Sequence, residues 1–273
     1  MRNGMIAAGL LLNMFAAAPL PVFDALRGYQ NAPVLETYGL RPIEVLTWPV
    51  LWGTKETLTR AMKSSVLDAD IEASLRATAR RLASAHVRLI CIDLEWPVAG
   101  HGAEAVANRR KLARIADIFR SENRDAQVGF YSDLPVRDYW RAIGNRDGAK
   151  YKSWQQENDT LSDLAEHVDV VFPSLYTFYE DTAGWVRYAQ ANLAEARRYG
   201  KPVYAFVWPQ YHDNSLRGRD ISRSFWALQL STIGAVADGI VIWGEGANQR
   251  VWDPKAGWWL ATLEYIRNSR GSK

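Results

Sequence analysis

The chain of 273 residues contains one cysteine, Cys91, and four histidines. A lone cysteine excludes an internal disulfide framework, so the fold must rest on its core. His212 has no second His or Cys at ligand spacing, so no metal site is expected, and no motif calls for a cofactor. No glycine-rich fingerprint follows the first strand-like run, which leaves a dinucleotide-binding fold without support. There is no G-x-S-x-G elbow, and Ser174 after Pro173 lacks the glycine context of a nucleophile. Charge of one sign is lacking too: 33 Lys+Arg against 30 Asp+Glu leave a net +3. The densest cluster, Arg109-Arg110-Lys111, sits in a helical pattern and reads as a solvated face. A nucleic-acid partner is therefore not expected.

What is present is apolar and aromatic. Hydrophobic residues make up 48% and charged residues 23%, enough for a large core and too ordered a mixture for disorder. The 12 Trp and 12 Tyr suit stacking on the apolar faces of sugar rings as well as core filling. Arg2 precedes the apolar run Met5 to Ala18, which reads as a secretory leader over residues 1–22. That run is too short for a membrane span and is broken by Asn13, so no stable insertion is expected after cleavage. The expected location is secreted or periplasmic.

From 23 to 273 one domain is predicted, because no linker interrupts the alternation of strands and helices. Strands are predicted at Ile43–Trp48, Val87–Glu95, Gln127–Tyr131, Val168–Tyr176, Pro202–Trp208 and Gly239–Gly244, with Val34–Leu40 a possible addition. Helical patterns cover Asp68–His86, Ala103–Glu122, Leu161–His167, Thr182–Tyr199, Asp220–Ala235 and Pro254–Asn268, and a long loop with helical pieces covers Arg137–Asn158. Strands alternating with helices of this length predict βαβ units on a parallel sheet. The fold class is α/β, a distorted or incomplete (β/α) TIM-type barrel.

In such a barrel the site gathers at the C-terminal strand ends. Those ends carry Trp48; Asp93 and Glu95; Tyr131 with Asp133 beyond; Tyr176; Trp208, Tyr211, His212 and Asp213; and Trp243 with Glu245. Alternate strand residues share a face, so Asp93 and Glu95 should both enter the barrel mouth, about 7 Å apart along the strand. Two nearby carboxyls in an apolar surround repel, which keeps one protonated as a general acid. The plainer reading is a helix-capping Asp93 and a salt-bridged Glu95. Tyr131 and Tyr176 fit substrate contact or rim packing, and Trp243 fits a sugar wall or a barrel plug.

Four segments in order resemble the hyaluronidase family (glycoside hydrolase family 56). Ile92-Asp93-Leu94-Glu95-Trp96 is similar to its D-x-E strand and Phe130-Tyr131 to its F-Y. Phe172-Pro173-Ser174-Leu175-Tyr176 resembles its L-x-P-S-x-Y, and Ala237 to Gly244 its G-A-x-G-x-x-x-W-G ending. The resemblance implies a distorted barrel and retaining, substrate-assisted cleavage of a β-linked, N-acetylhexosamine-containing polysaccharide. The substrate's acetamido oxygen then attacks, and the protein supplies no nucleophile. It further implies Glu95 as proton donor and Asp93 as the group that orients the acetamido and helps keep Glu95 protonated. Tyr131 and Tyr176 would line the cleavage subsite, and Trp243 would press on the acetyl methyl.

The sequence departs from that family in its single cysteine and in Leu94-Glu95-Trp96-Pro97, which lacks the arginine of W-E-x-W-R-P. Those departures bear on the polymer more than on the chemistry. Trp48, Trp208, Tyr211 and Glu245 complete the expected substrate-binding set. Two alternatives stay open: a glycosidase using Glu245 or Asp213 as a separate carboxylate, and a sugar-binding barrel without catalysis.

Overall fold

A computed structural model describes residues 20–212, 215–244 and 250–271. Its strands are β1 (Val22–Leu26), β2 (Arg41–Pro42), β3 (Glu44–Thr47), β4 (Leu89–Asp93), β5 (Gln127–Phe130), β6 (Tyr204–Val207) and β7 (Gly239–Gly244). Every pairing between them is parallel. They form two sheets, β2-β1-β7-β6 and β3-β4-β5.

The two sheets share one interior. Phe23, Ala25, Ile43, Val45, Leu89, Cys91, Val170, Phe172, Phe206 and Val241 pack together inside, with Tyr131, Tyr176 and Trp208 above them. The intervening residues, such as Ile90, Ile92, Ile240 and Ile242, face the helices. The near-continuous apolar strands seen in the sequence are thus covered on both faces, as a parallel barrel requires. Hydrogen bonding around the ring is incomplete at two junctions. One is Ile43, where the chain leaves the partner of β1 and becomes the partner of β4. The other is the segment 171–177, which meets its neighbours through single bridges, Tyr131 to Phe172, Val171 to Val203, Ser174 to Phe206 and Thr177 to Tyr211.

Gly129 marks how closely that second junction is packed. A Cβ at Gly129 would lie 2.1 Å from the Val170 carbonyl oxygen and 3.0 Å from the Phe172 ring. Only a residue without a side chain lets β5 approach the segment this far.

The helices outside the ring are α1 (Trp48–Trp52), α2 (Lys55–Lys63), α3 (Ala69–Ser84), α4 (Ala103–Glu122), α5 (Tyr139–Ala142), α6 (Ala149–Asp159), α7 (Ser162–Ala165), α8 (Thr182–Arg198), α9 (Arg223–Gly234) and α10 (Gly257–Gly271). Asp68 caps α3 by accepting the Ile71 amide at 2.9 Å. Ile71, Leu75, Ala79 and Leu82 form its buried stripe, the face that their spacing predicts. Among the described residues no helix is long and apolar enough to cross a membrane.

Several expectations need correction. Val34–Leu40 adds no strand: Leu35–Tyr38 is a 3-10 turn ended by Gly39 in the left-handed region. Val168–Tyr176 is not a continuous strand, because its backbone makes isolated bridges rather than a ladder. Trp48 opens α1 instead of ending β3, with Pro49 at the first turn where a missing amide costs nothing. The predicted loop 137–158 holds a full helix, α6, which buries Tyr151 and Trp154. The strand β1 was not foreseen; it begins at Val22, inside the expected leader, while residues 1–19 lie outside the described part. Of the cluster Arg109-Arg110-Lys111 only Arg110 is solvated. Arg109 and Lys111 are 6% and 2% exposed, and they donate to the backbone carbonyls of Val98 and Ala61.

Candidate active site

The strand alternation that builds the interior also builds the mouth. One inward step beyond Val45, Cys91, Phe206 and Val241 come Thr47, Asp93, Trp208 and Trp243. All four line a cleft of about 390 Å³, together with Trp48, Pro49, Leu94, Glu95, Tyr131, Tyr176 and His212. Asp93 is the last residue of β4 and pairs in register with Thr47.

Glu95 does not continue that alternation. β4 ends at Asp93, and Glu95 adopts φ +40°, a left-handed conformation that a non-glycine residue holds only when its surroundings enforce it. The simple two-residue spacing therefore does not describe the pair, although both carboxyls line the same cleft. The Glu95 side chain is 50% exposed, with its carboxylate 3.6 Å from the Arg137 guanidinium.

The segment after Glu95 is tied down from α4. Arg109 donates to the carbonyls of Val98 at 2.7 Å and Gly100 at 2.8 Å, and pairs with Asp163. Asn108 donates to the Pro97 carbonyl at 2.8 Å. Lys111 donates to the carbonyls of Ala61 and Met62 and lies 4.6 Å over the Trp96 ring. Burial lowers its ammonium pKa, opposed by the charge of Glu104. The backbone at Glu95 is thus held between a strand end and a loop with its carbonyls satisfied.

Tyr131 and Tyr176 stand with ring centroids 5.7 Å apart. The Tyr131 hydroxyl shares a 2.9 Å hydrogen bond with Ser174 Oγ, so Ser174 serves to hold a tyrosine. Burial pushes the Tyr131 hydroxyl up, against Arg137 and the Ser174 hydrogen bond, and pushes Tyr176 up with Tyr131 adding to it. Both hydroxyls stay protonated and able to donate across the neutral range. Trp208 also carries a buried indole N–H without a hydrogen-bond partner among the described residues.

The acid whose surroundings most disfavour its charged form is Asp133. Burial first, then the charges of Glu95 and Asp93, raise its carboxyl well above the ordinary range. One of its oxygens has no hydrogen-bond partner among the described residues. Asp133 does not line the main cleft but a neighbouring depression with Glu95, Trp96, Ser132 and Arg137. The sequence showed Asp133 beyond Tyr131 without a role. It follows Ser132, whose φ of +62° lies in the left-handed region.

Of the expected site residues, Glu95, Asp93, Tyr131, Tyr176, Trp243, Trp48 and Trp208 come together in the one cleft. Tyr211 does not. It lines a different depression with Glu180 and Arg219, its ring 5.6 Å from that guanidinium, because its strand-like bridge to Thr177 turns it to the helix side. Glu245 and Asp213 lie outside the described residues. Sequence reasoning missed Arg137, Asp133 and Ser174; the short stretch from Tyr131 to Arg137 that supplies two of them had the polar character of a loop and no periodicity to place it. Among the described residues no cluster of three or more His, Cys, Asp or Glu is arranged to hold a metal.

A parallel barrel with acids and aromatic rings at its mouth is the architecture shared by many glycosidases. Over 98 residues the chain is 36% identical to hyaluronidase of Apis mellifera, a match covering 33% of this chain and 25% of that protein. The matched region thus spans only a quarter of the relative. Bee venom hyaluronidase in complex with a hyaluronic acid tetramer has a similar structure, with a TM-score of 0.59 and 19% identity over 92% of this chain and 96% of that one. The endo-β-1,4-mannanase of Thermotoga petrophila follows at 0.54 and 14%, over 87% of this chain and 60% of that one. No family profile matches the chain. The protein is hyaluronidase-like and strongly diverged.

Proposed function

We propose that the protein is a retaining glycoside hydrolase that cleaves a β-linked, N-acetylhexosamine-containing polysaccharide. The observation that carries this reading is the single cleft in which Asp93 and Glu95 face Tyr131, Tyr176 and three tryptophans. Aromatic walls with a few convergent polar groups are what a sugar site requires. Among the described residues, Asp93 and Glu95 are the only carboxyls lining it. Asp133 lies outside the cleft, so the described lining offers no third carboxyl as a nucleophile, which favours attack by the substrate's own acetamido oxygen.

In this reading Glu95, half-exposed in the cleft, protonates the leaving glycosidic oxygen. Asp93, at the end of β4 just before Glu95, orients the acetamido group as its oxygen closes on the anomeric carbon. The Tyr131 and Tyr176 hydroxyls donate to the sugar, and Trp243 and Trp208 cover its apolar face. Water then opens the cyclised intermediate with Glu95 acting as base, so the anomeric configuration is retained. A leader that ends before β1 begins at Val22 takes the enzyme outside the cytoplasm.

The test is a digestion panel of hyaluronan, chondroitin, chitin and plain β-glucan with wild type and Glu95→Gln. Cleavage of an N-acetylated polymer is expected, falling by roughly 10²–10⁴-fold in the variant. Activity on the plain glucan alone would sink the acetamido-assisted mechanism. Undiminished turnover by Glu95→Gln would sink the assignment of the donor.

A further inference from the structure

Trp140 is the exposed member of a tryptophan set that is otherwise buried or half-buried among the described residues. At 65% exposure it leaves an indole in water, while the half-buried Trp48 and Trp243 line the cleft. Tyr179, 37% exposed, stands beside it with ring centroids 5.4 Å apart and planes at 49°. Tyr139 braces both from behind, at 5.2 Å to Trp140 and 5.1 Å to Tyr179, and itself packs on the fully buried Tyr188. A Cβ at Gly184 would lie 2.3 Å from the Tyr139 hydroxyl, so α8 carries a glycine where the brace passes. Two exposed rings held this firmly are a preformed surface rather than loose side chains.

The pair is continuous with the cleft along two paths. Tyr179 follows Phe178, whose ring lies 5.4 Å from His212, and His212 packs at 5.3 Å on Tyr176 and 5.4 Å on Trp208 of the cleft wall. Trp140 follows Arg137, which reaches Glu95 at 3.6 Å and lies 5.9 Å over the same Phe178 ring. One path starts at the cleft wall and the other at Glu95, and both end at the exposed rings, with Phe178 and Arg137 between them.

We propose that Trp140 and Tyr179 form an outlying platform that stacks on a sugar of the polysaccharide chain as it runs out of the cleft past Arg137. The inference rests on the glycosidase reading and adds to it that the substrate is a long chain gripped away from the cut. The ring faces offer stacking on the apolar face of a pyranose, and Arg137 offers donors to the hydroxyls or carboxylate of the sugar between. An exposed aromatic patch rimmed by polar groups and joined to a binding cleft is best covered by the ligand that fills the cleft.

The experiment compares hyaluronan and chitin oligosaccharides of tetra- and decasaccharide length. Calorimetry in the Glu95→Gln background should show the decasaccharide bound more tightly than the tetrasaccharide. Adding Trp140→Ala should weaken decasaccharide binding about tenfold, the worth of one good ring contact, and leave the tetrasaccharide affinity where it was. In the otherwise wild-type enzyme the same substitution should cut the ratio of kcat/KM for polymer over tetrasaccharide by a similar factor. Equal decasaccharide affinity with and without Trp140 would overturn the platform while leaving the glycosidase reading intact. Failure of every N-acetylated oligosaccharide to bind, or full turnover by Glu95→Gln, would overturn the reading and the platform together.

Discussion

Trp52 and Trp96 lie face to face, 6.2 Å between ring centroids and 8° between planes. Trp52 ends α1, the helix that begins with the cleft residue Trp48, and Trp96 directly follows Glu95. The stack therefore couples one wall of the cleft to the backbone that holds the acid, and the Lys111 ammonium also lies over the Trp96 ring. Trp52→Ala is expected to cost about 3–5 kcal/mol of stability through the cavity it leaves. It should also lower kcat more than it raises KM, since Glu95 loses a fixed neighbour. Thermal melts and steady-state kinetics check both; Trp52→Phe should recover part of kcat. A variant that melts early with wild-type kcat would show the stack to be packing alone.

Arg109 satisfies two carbonyls of the loop that follows Glu95 with a guanidinium that is itself buried. Arg109→Ala leaves those acceptors unpaired, at about 1–3 kcal/mol for each. Urea unfolding should register the loss as a lower midpoint at unchanged slope. Arg109→Lys should rescue little, because the fork that spans Val98, Gly100 and Asp163 cannot be copied by one ammonium.

Asp133 makes stability fall with rising pH. Its carboxyl titrates near the ordinary value of about 3.9 in the unfolded chain and well above it in the folded one. Between those two values the folded state binds more protons than the unfolded state, so each step up in pH favours unfolding. Asp133→Asn removes that slope. Its melting temperature should gain on wild type as pH climbs above about 4. Parallel curves for the two proteins would disprove the raised carboxyl.

Gly129→Ala places a methyl group against the Val170 carbonyl. The resulting shift at the junction of β5 with the segment 171–177 should cost about 1–3 kcal/mol. Because Tyr131 follows directly on β5, kcat should fall as well. Equilibrium unfolding and turnover on the same preparation measure the two effects. A stable, fully active variant would mean that the junction yields without strain.

Much of this was readable from the residues. Asp93 could be placed because β4 alternates, Cys91 inward and Ile92 outward, and the pattern runs straight to the mouth. The helix Ala103–Glu122 was visible in its period and its ends. Glu95 lines the cleft, but its left-handed backbone belongs to the loop that Arg109 and Asn108 hold, and that loop closes through residues distant in sequence. Lys111 shows the limit of periodicity. The helical pattern marks it as polar, yet a long apolar stem can carry an ammonium across the core to carbonyls of α2. Val168–Tyr176 has the composition of a strand, and only its neighbours decide that it bridges rather than pairs.

The two weakly bonded junctions divide the ring into two stiff arcs. Asp93, Glu95 and Tyr131 ride on the arc built from β3, β4 and β5, while Trp208 and Trp243 ride on the arc built from β6, β7 and β1. Acids and facing indoles thus sit on opposite jaws. The gauge of the slot between them is set by a few bridges and by Ile43, so on the proposed reading a thicker or thinner glycan is accommodated at those seams without changing a residue that lines the cleft.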